Sequence, residues 1–233
     1  MRNASDTPFA ERLTAVGGET GRMIAGRDWS ATPLGRIEAW PQSLRTALSL
    51  LLMSPVPMVM LWGEDGVMLY NDAYSVFAGR RHPQLLGGKV REGWPEVADF
   101  NDNVMKVGLA GGTLAYRDQT LTLYRHGHAE QVRMNLDYSP VLDESGEPAG
   151  VLAVVVDTTE RAAAEADAEA DAQARLLELI ATDAPIEECL VAVAAALERL
   201  RPGMQAAVLL PDAETGSSRT PTPPPCPPRS KQA

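Results

Sequence analysis

The sequence predicts an α+β domain: a five-stranded antiparallel sheet with helices on one face. Three observations carry this. Two short apolar runs, Met58 to Trp62 and Val67 to Tyr70, flank the turn-rich tetrad Gly63-Glu-Asp-Gly66, the pattern of a β-hairpin. Val132, Met134, Leu136 and Tyr138 alternate with Arg133, Asn135, Asp137 and Ser139, the signature of a half-buried antiparallel strand. Val151 to Val156 is a continuous apolar run, short enough for a strand buried on both faces.

The remaining elements follow in chain order. Residues 1–39 are rich in Gly, Thr and Pro and read as an irregular N-terminal arm, leading into a helix over 40–54. That helix places Leu44, Leu48, Leu51 and Leu52 at helical spacing and stops at Pro55 and Pro57. Between the first two strands and the last three, Asn71-Asp72 caps a short helix, and several glycines break the segment that follows. Phe100, Val104, Val107 and Leu109 form the apolar face of a helix within Val97 to Gly112. The third strand is expected at Leu121 to Tyr124, with its turn at Arg125-His-Gly-His128. These elements bound a domain at 40–157.

Asp157 to Ala181 is Ala-rich and free of Gly and Pro, so it reads as one helical linker (158–181) capped by Asp157 or Thr158. Ala163, Ala166, Ala170, Gln173, Leu177 and Ile180 lie alternately 3 and 4 residues apart, a weak coiled-coil seam suited to a dimer stalk. Pro185 opens a second amphipathic helix carrying Ile186, Leu190, Val193, Leu197 and Leu200, and a strand is expected at Ala206 to Leu210. Residues 217–233 are a Pro-rich tail unable to form a core.

Composition excludes several classes. The net charge is −10, and no basic cluster is longer than Arg80-Arg81, which argues against nucleic-acid binding. A hydrophobic content of 45% and a mean hydropathy of −0.15 fit a globular chain. Cys189 and Cys226 cannot make a disulfide framework, so a reducing, cytoplasmic setting is expected. The apolar stretch Ala47 to Trp62 is broken by two prolines and too short to insert in a membrane. His126, His128 and Glu130 surround Gly127 and read as a solvated hairpin tip, with too few converging ligands for a metal. Gly108-Leu-Ala-Gly-Gly112 lacks the Lys-Ser/Thr of a phosphate loop and reads as a helix stop.

Several strings resemble the PAS sensor regions of bacterial two-component histidine kinases. They are Asp28-Trp-Ser-Ala-Thr-Pro-Leu-Gly35, Trp40-Pro-Gln-Ser-Leu44, Trp62-Gly63, Tyr70-Asn-Asp-Ala-Tyr74, Trp94-Pro-Glu96, Tyr138-Ser-Pro140 with Asp143-Glu144, and the exit string Asp157-Thr-Thr-Glu-Arg161. Residues 182–216 resemble the opening of a GAF domain that is not completed, and the 17 residues from Ser217 are expected to be a frameshifted reading. No phosphoacceptor histidine context or Gly-rich nucleotide lid occurs, so no catalysis is expected of this chain. The resemblance implies a PAS fold and a sensory input role. Tyr70, Asn71, Phe77, Trp94, Phe100, Leu121, Met134 and Leu136 are then the candidate walls of a site for an unknown small ligand. Asp157 and Thr159 are the signal exit. The family's haem mode lacks its histidine on Val97 to Gly112, and its flavin–cysteine chemistry lacks a cysteine before Cys189. No cofactor is therefore expected. A homodimer through the N-terminal helix and the 158–181 helix, acting on a kinase or response-regulator system, is the implied partnership. Two other readings stay open: a ligand-free dimerisation module, and an inert truncated remnant of a sensor kinase.

Overall fold

The computed structural model describes residues 8–182, 184–200, 205–207, 210–211 and 218–219. The chain divides into two compact units, 1–160 and 161–233.

The first unit is built on a five-stranded antiparallel sheet of β1 (Met58–Trp62), β2 (Val67–Tyr70), β3 (Leu114–Leu123), β4 (Glu130–Leu142) and β5 (Pro148–Asp157), in spatial order β2-β1-β5-β4-β3. The first hairpin thus meets the last strand at the sheet centre, Leu61 facing Val151 and Met60 facing Leu152. β3 begins at Leu114, seven residues before the expected Leu121. Its first half carries Arg117, Asp118 and Gln119 on an edge strand, where polar side chains reach solvent and hide the alternation. A bulge between Tyr116 and Gln119 leaves Asp118 with φ of 48°.

Three helices, α4 (Asp72–Ala78), α5 (Val90–Gly93) and α6 (Ala98–Leu109), lie over one sheet face between β2 and β3. α6 packs directly on β5, and Gly108 permits the approach: a Cβ there would stand 2.3 Å from a Val151 methyl. Met60 and Leu69 point away from that face, yet both are fully buried. α3 (Gln42–Leu52) packs on β1 and β2, its Leu44, Leu48 and Leu51 wholly buried.

Residues 8–39, within an arm expected over 1–39, hold more helix than its irregular composition suggests. Two helices form there, α1 (Phe9–Val16) and α2 (Gly18–Gly26), and both join the common core through Phe9, Leu13 and Ile24. Glycines at 17, 18, 21 and 26 give this segment little intrinsic helicity. Tertiary contacts supply the difference. Asp72, far along the chain, accepts hydrogen bonds from the Glu19 N–H (2.9 Å), the Thr20 N–H (2.7 Å) and the Thr20 hydroxyl (2.7 Å), capping α2 from outside. Trp29 and Trp40 meet edge to face at 5.2 Å, with indole N–H groups donating to the Ile24 and Gly35 carbonyls. The Glu144 carboxylate, on the β4–β5 turn, accepts the Ser43 N–H at the start of α3 (2.7 Å).

The second unit contains most of α7 (Thr159–Ala181) and α8 (Ile186–Leu200). α7 has no buried residue, and Leu177 and Ile180 on its seam are exposed. The strand expected at Ala206 to Leu210 is not formed at 205–207. Leu210–Pro211 instead pairs with Ser218–Arg219. Residues 212–217 and the remainder of the Pro-rich tail lie outside the described residues.

Candidate functional site

A cavity of about 50 Å³ lies between the sheet and the α4–α6 layer. Sheet residues such as Leu61, Met68, Leu121, Met134 and Leu136 form its floor, and Tyr74, Phe77, Trp94, Phe100 and Asn101 form its roof. The alternation of β3, β4 and β5 turns every second side chain inward, and the 3.6-residue period does the same for α6. Six of the eight expected wall residues therefore converge here: Phe77, Trp94, Phe100, Leu121, Met134 and Leu136.

Tyr70 and Asn71 do not line this cavity. The Tyr70 hydroxyl lies 3.0 Å from His82 Nδ1, and burial pushes its phenol pKa well above the ordinary range. Asn71 is fully enclosed in a backbone knot. Its Oδ1 accepts the Met58 N–H (3.1 Å) and the Tyr74 N–H (2.9 Å), while its Nδ2 reaches the carbonyls of Leu51 (3.2 Å), Ser54 (3.0 Å) and Val56 (2.7 Å). It joins α3, β1 and α4, and a ligand has no access to it.

Asn101 was invisible as a site residue in the sequence, because a polar residue beside Asp99 and Asp102 reads as solvent-facing. Its spacing does carry a signal: with Val104, Met105 and Gly108 it occupies one buried face at i, i+3, i+4 and i+7. Tyr74 and Tyr138 also reach the cavity, and desolvation raises both phenol pKa values, so both hydroxyls stay protonated.

Two arginines back the aromatic roof. The Arg81 guanidinium stacks 4.6 Å from the Trp94 ring centroid and pairs with Glu96 at 3.0 Å. Arg125 stacks 5.0 Å from the Phe77 ring and bonds both Glu130 (3.2 Å) and Asp157 (3.0 Å). Glu130 also meets His126 Nδ1 at 2.8 Å, so that hairpin tip is a local ion-pair cluster.

The exit is a second polar knot. Burial of Asp157 would raise its pKa, but Thr159 and Arg125 outweigh this and hold the carboxyl below its ordinary value. Asp157 Oδ1 accepts the Thr159 N–H at 3.0 Å. The Thr159 hydroxyl accepts the Arg133 N–H (2.9 Å), the Thr158 N–H donates to the Arg133 carbonyl (2.8 Å), and the Thr158 hydroxyl donates to Asp118 (3.0 Å). The start of α7 is thereby fastened to both β3 and β4. Asp157 and Thr159 occupy the junction expected of them, with Thr158, Arg125 and Asp118 as additional members.

Sheet order, helical layer and fastened exit together are those of the PAS fold. Residues 53–163 match the family model described as the PAS fold. No curated protein matches the chain. Among solved structures, the PAS domain of Bordetella pertussis BvgS is 27% identical, covering 51% of this chain and 88% of that one, with a TM-score of 0.41. A sensory box sensor histidine kinase from Vibrio cholerae is 23% identical over 50% of this chain and 92% of that one, at a TM-score of 0.34. A Rhodobacter sphaeroides LOV protein is 20% identical over 60% and 80%, at 0.40. Among the described residues no helix is long and apolar enough to cross a membrane.

Proposed function

We propose that this chain is a sensory module of bacterial signal transduction, of the histidine-kinase input type, which relays cavity occupancy through α7. The observation that carries the reading is Arg125. One guanidinium rests on Phe77, a wall of the cavity, and bonds Asp157, the residue that opens the outgoing helix. A change in the Phe77 ring position alters how Arg125 divides itself between Glu130 and Asp157, and so biases the start of α7. The module itself performs no chemistry in this reading. Its setting is cytoplasmic, and its output is a partner kinase or response-regulator system.

The test fills the cavity from its floor. Ala153 lines the cavity on β5, and Ala153→Leu adds three heavy atoms to the space. Hydrogen exchange over residues 158–169 is expected to change in Ala153→Leu, and Arg125→Ala is expected to abolish that response. Identical exchange in the parent and Ala153→Leu proteins defeats the relay.

A second reading, a dimerising stalk, rests on the exposure of Leu177 (65%) and Ile180 (61%) on the expected seam. Two copies paired along α7 would bury both. The two readings combine into one protein: a dimer whose stalk geometry is the output.

A further inference from the structure

Among the described residues, Asp118 is the one non-glycine residue with a backbone φ in the left-handed region, at 48°. It sits at the bulge between Tyr116 and Gln119, where the register of β3 against β4 shifts. Aspartate tolerates that region better than most residues, but less well than glycine. Such an outlier persists only where its surroundings hold it. Two contacts do so here. The Asp118 N–H donates to Asn135 Oδ1 on β4 (2.9 Å), and Asp118 Oδ1 accepts the Thr158 hydroxyl (3.0 Å), 40 residues along the chain. A glycine would serve the bulge without strain, yet only a side chain carrying an acceptor reaches Thr158.

Thr158 is buried, and α7 begins at the next residue. The entry to that helix is therefore held at consecutive positions, Asp157 by Arg125 and Thr158 by Asp118. The two holds differ in kind. Arg125 rests on Phe77, a cavity wall, whereas Asp118 does not line the cavity. Resting on the sensor reading above, we propose that Asp118 is the resting lock of the output helix: a positioning residue whose bond to Thr158 keeps the start of α7 on the sheet until Arg125 releases Asp157. The backbone strain tunes this lock. When the Thr158 bond opens, residue 118 loses one of the two contacts that hold it left-handed, so the strain favours the open state. The lock is weak by construction, as a two-state output requires.

Hydrogen exchange on the full chain tests this, with the amides of residues 158–163 read against Leu136 and Val155 of the sheet in the same sample. Thr158→Val keeps the shape and removes the donor. It is expected to lower protection over 158–163 about tenfold, the equivalent of one lost hydrogen bond to a charged group, with Leu136 and Val155 unchanged. Asp118→Gly removes acceptor and strain together, so a smaller fall is expected, and in that background Thr158→Val should add nothing. A Thr158→Val effect of the same size in both backgrounds overturns the lock. So does an equal loss of protection at Leu136 and Val155, the mark of residues that serve folding alone. Ala153→Leu separates the lock from the sensor reading. If Ala153→Leu alters 158–163 while Thr158→Val does not, the lock falls and the sensor reading stands. If Thr158→Val loosens 158–163 but Ala153→Leu leaves them unmoved, alone and combined with Asp118→Gly, the sensor reading falls and the lock's signalling role falls with it.

Discussion

Replacing Asn71 with alanine is the sharpest test of how this domain is held together. Five backbone groups surround the side chain: two N–H donors on Oδ1 and three carbonyls near Nδ2. An amide nitrogen has only two hydrogens, so at most two of the three carbonyls are fully bonded at once. Four hydrogen bonds at about 1 kcal/mol each give a loss of roughly 4 kcal/mol, against a total of 5–15 kcal/mol for a typical domain. A simple helix cap at this position would cost only about 1 kcal/mol. Asn71→Asp separates the two cases. It keeps both accepted bonds, including the cap of α4, but turns a carboxylate oxygen towards three carbonyls. A knot predicts that Asn71→Asp is at least as damaging as Asn71→Ala; a cap predicts that it is nearly neutral. Urea unfolding followed by tryptophan fluorescence measures this, because Trp29, Trp40, Trp62 and Trp94 are all buried in the first unit. A loss of 1 kcal/mol or less in Asn71→Ala, at unchanged urea dependence, refutes the knot.

Other outcomes follow from the same contacts. Gly108→Ala drives a Cβ into Val151 and should destabilise the domain by about 1–3 kcal/mol, read as a lower Tm; pairing it with Val151→Ala should recover part of the loss. For Asp72, burial would raise the pKa, but hydrogen bonds from Thr20 and Glu19 outweigh it and depress the folded-state value. The stability Asp72 contributes is therefore present above the unfolded value near ~3.9 and lost as pH falls through the lower folded value. Asp72→Asn should flatten that acid limb in pH-dependent unfolding. Asp157 has the same sign, so acidification over the same window should lower the hydrogen-exchange protection of Thr158 and Thr159, taken against the intrinsic rate at each pH, before global unfolding. Leu177→Glu with Ile180→Glu should shift sedimentation equilibrium from dimer to monomer; a parent chain already monomeric at high concentration removes the stalk.

Much of this organisation follows from periodicity alone. β1 and β2 are buried on both faces and show as continuous apolar runs, β5 is an apolar run of the same kind in sequence, and half-buried β4 shows a period of 2. α7 is legible for the opposite reason: with no Gly or Pro, its backbone preference suffices without burial. Elements whose stability is borrowed are not legible. α2 is glycine-rich and α1 is only 8 residues long, too short to stand alone, and they form because Ile24, Leu13 and Phe9 find a core and Asp72 supplies a distant cap to α2. The first half of β3 is hidden because an edge strand satisfies polar side chains with water.

The cavity divides in the same way. Apolar period and aromatic composition point to Phe77, Trp94, Phe100, Leu121, Met134 and Leu136, because residues that face a core also face any space within it. Chemistry was decided by the tertiary structure. Asn71 and Asn101 are the same residue type beside aspartates, yet one spends its amide on five backbone groups and the other is buried on the inner face of α6. Arg125 looks like a turn residue until folding sets it against both Phe77 and Asp157. Hydrophobic pattern is a property of neighbours in the chain and so can be read from it. A hydrogen bond depends on which distant group arrives within about 3 Å, and that is fixed only when the chain has folded.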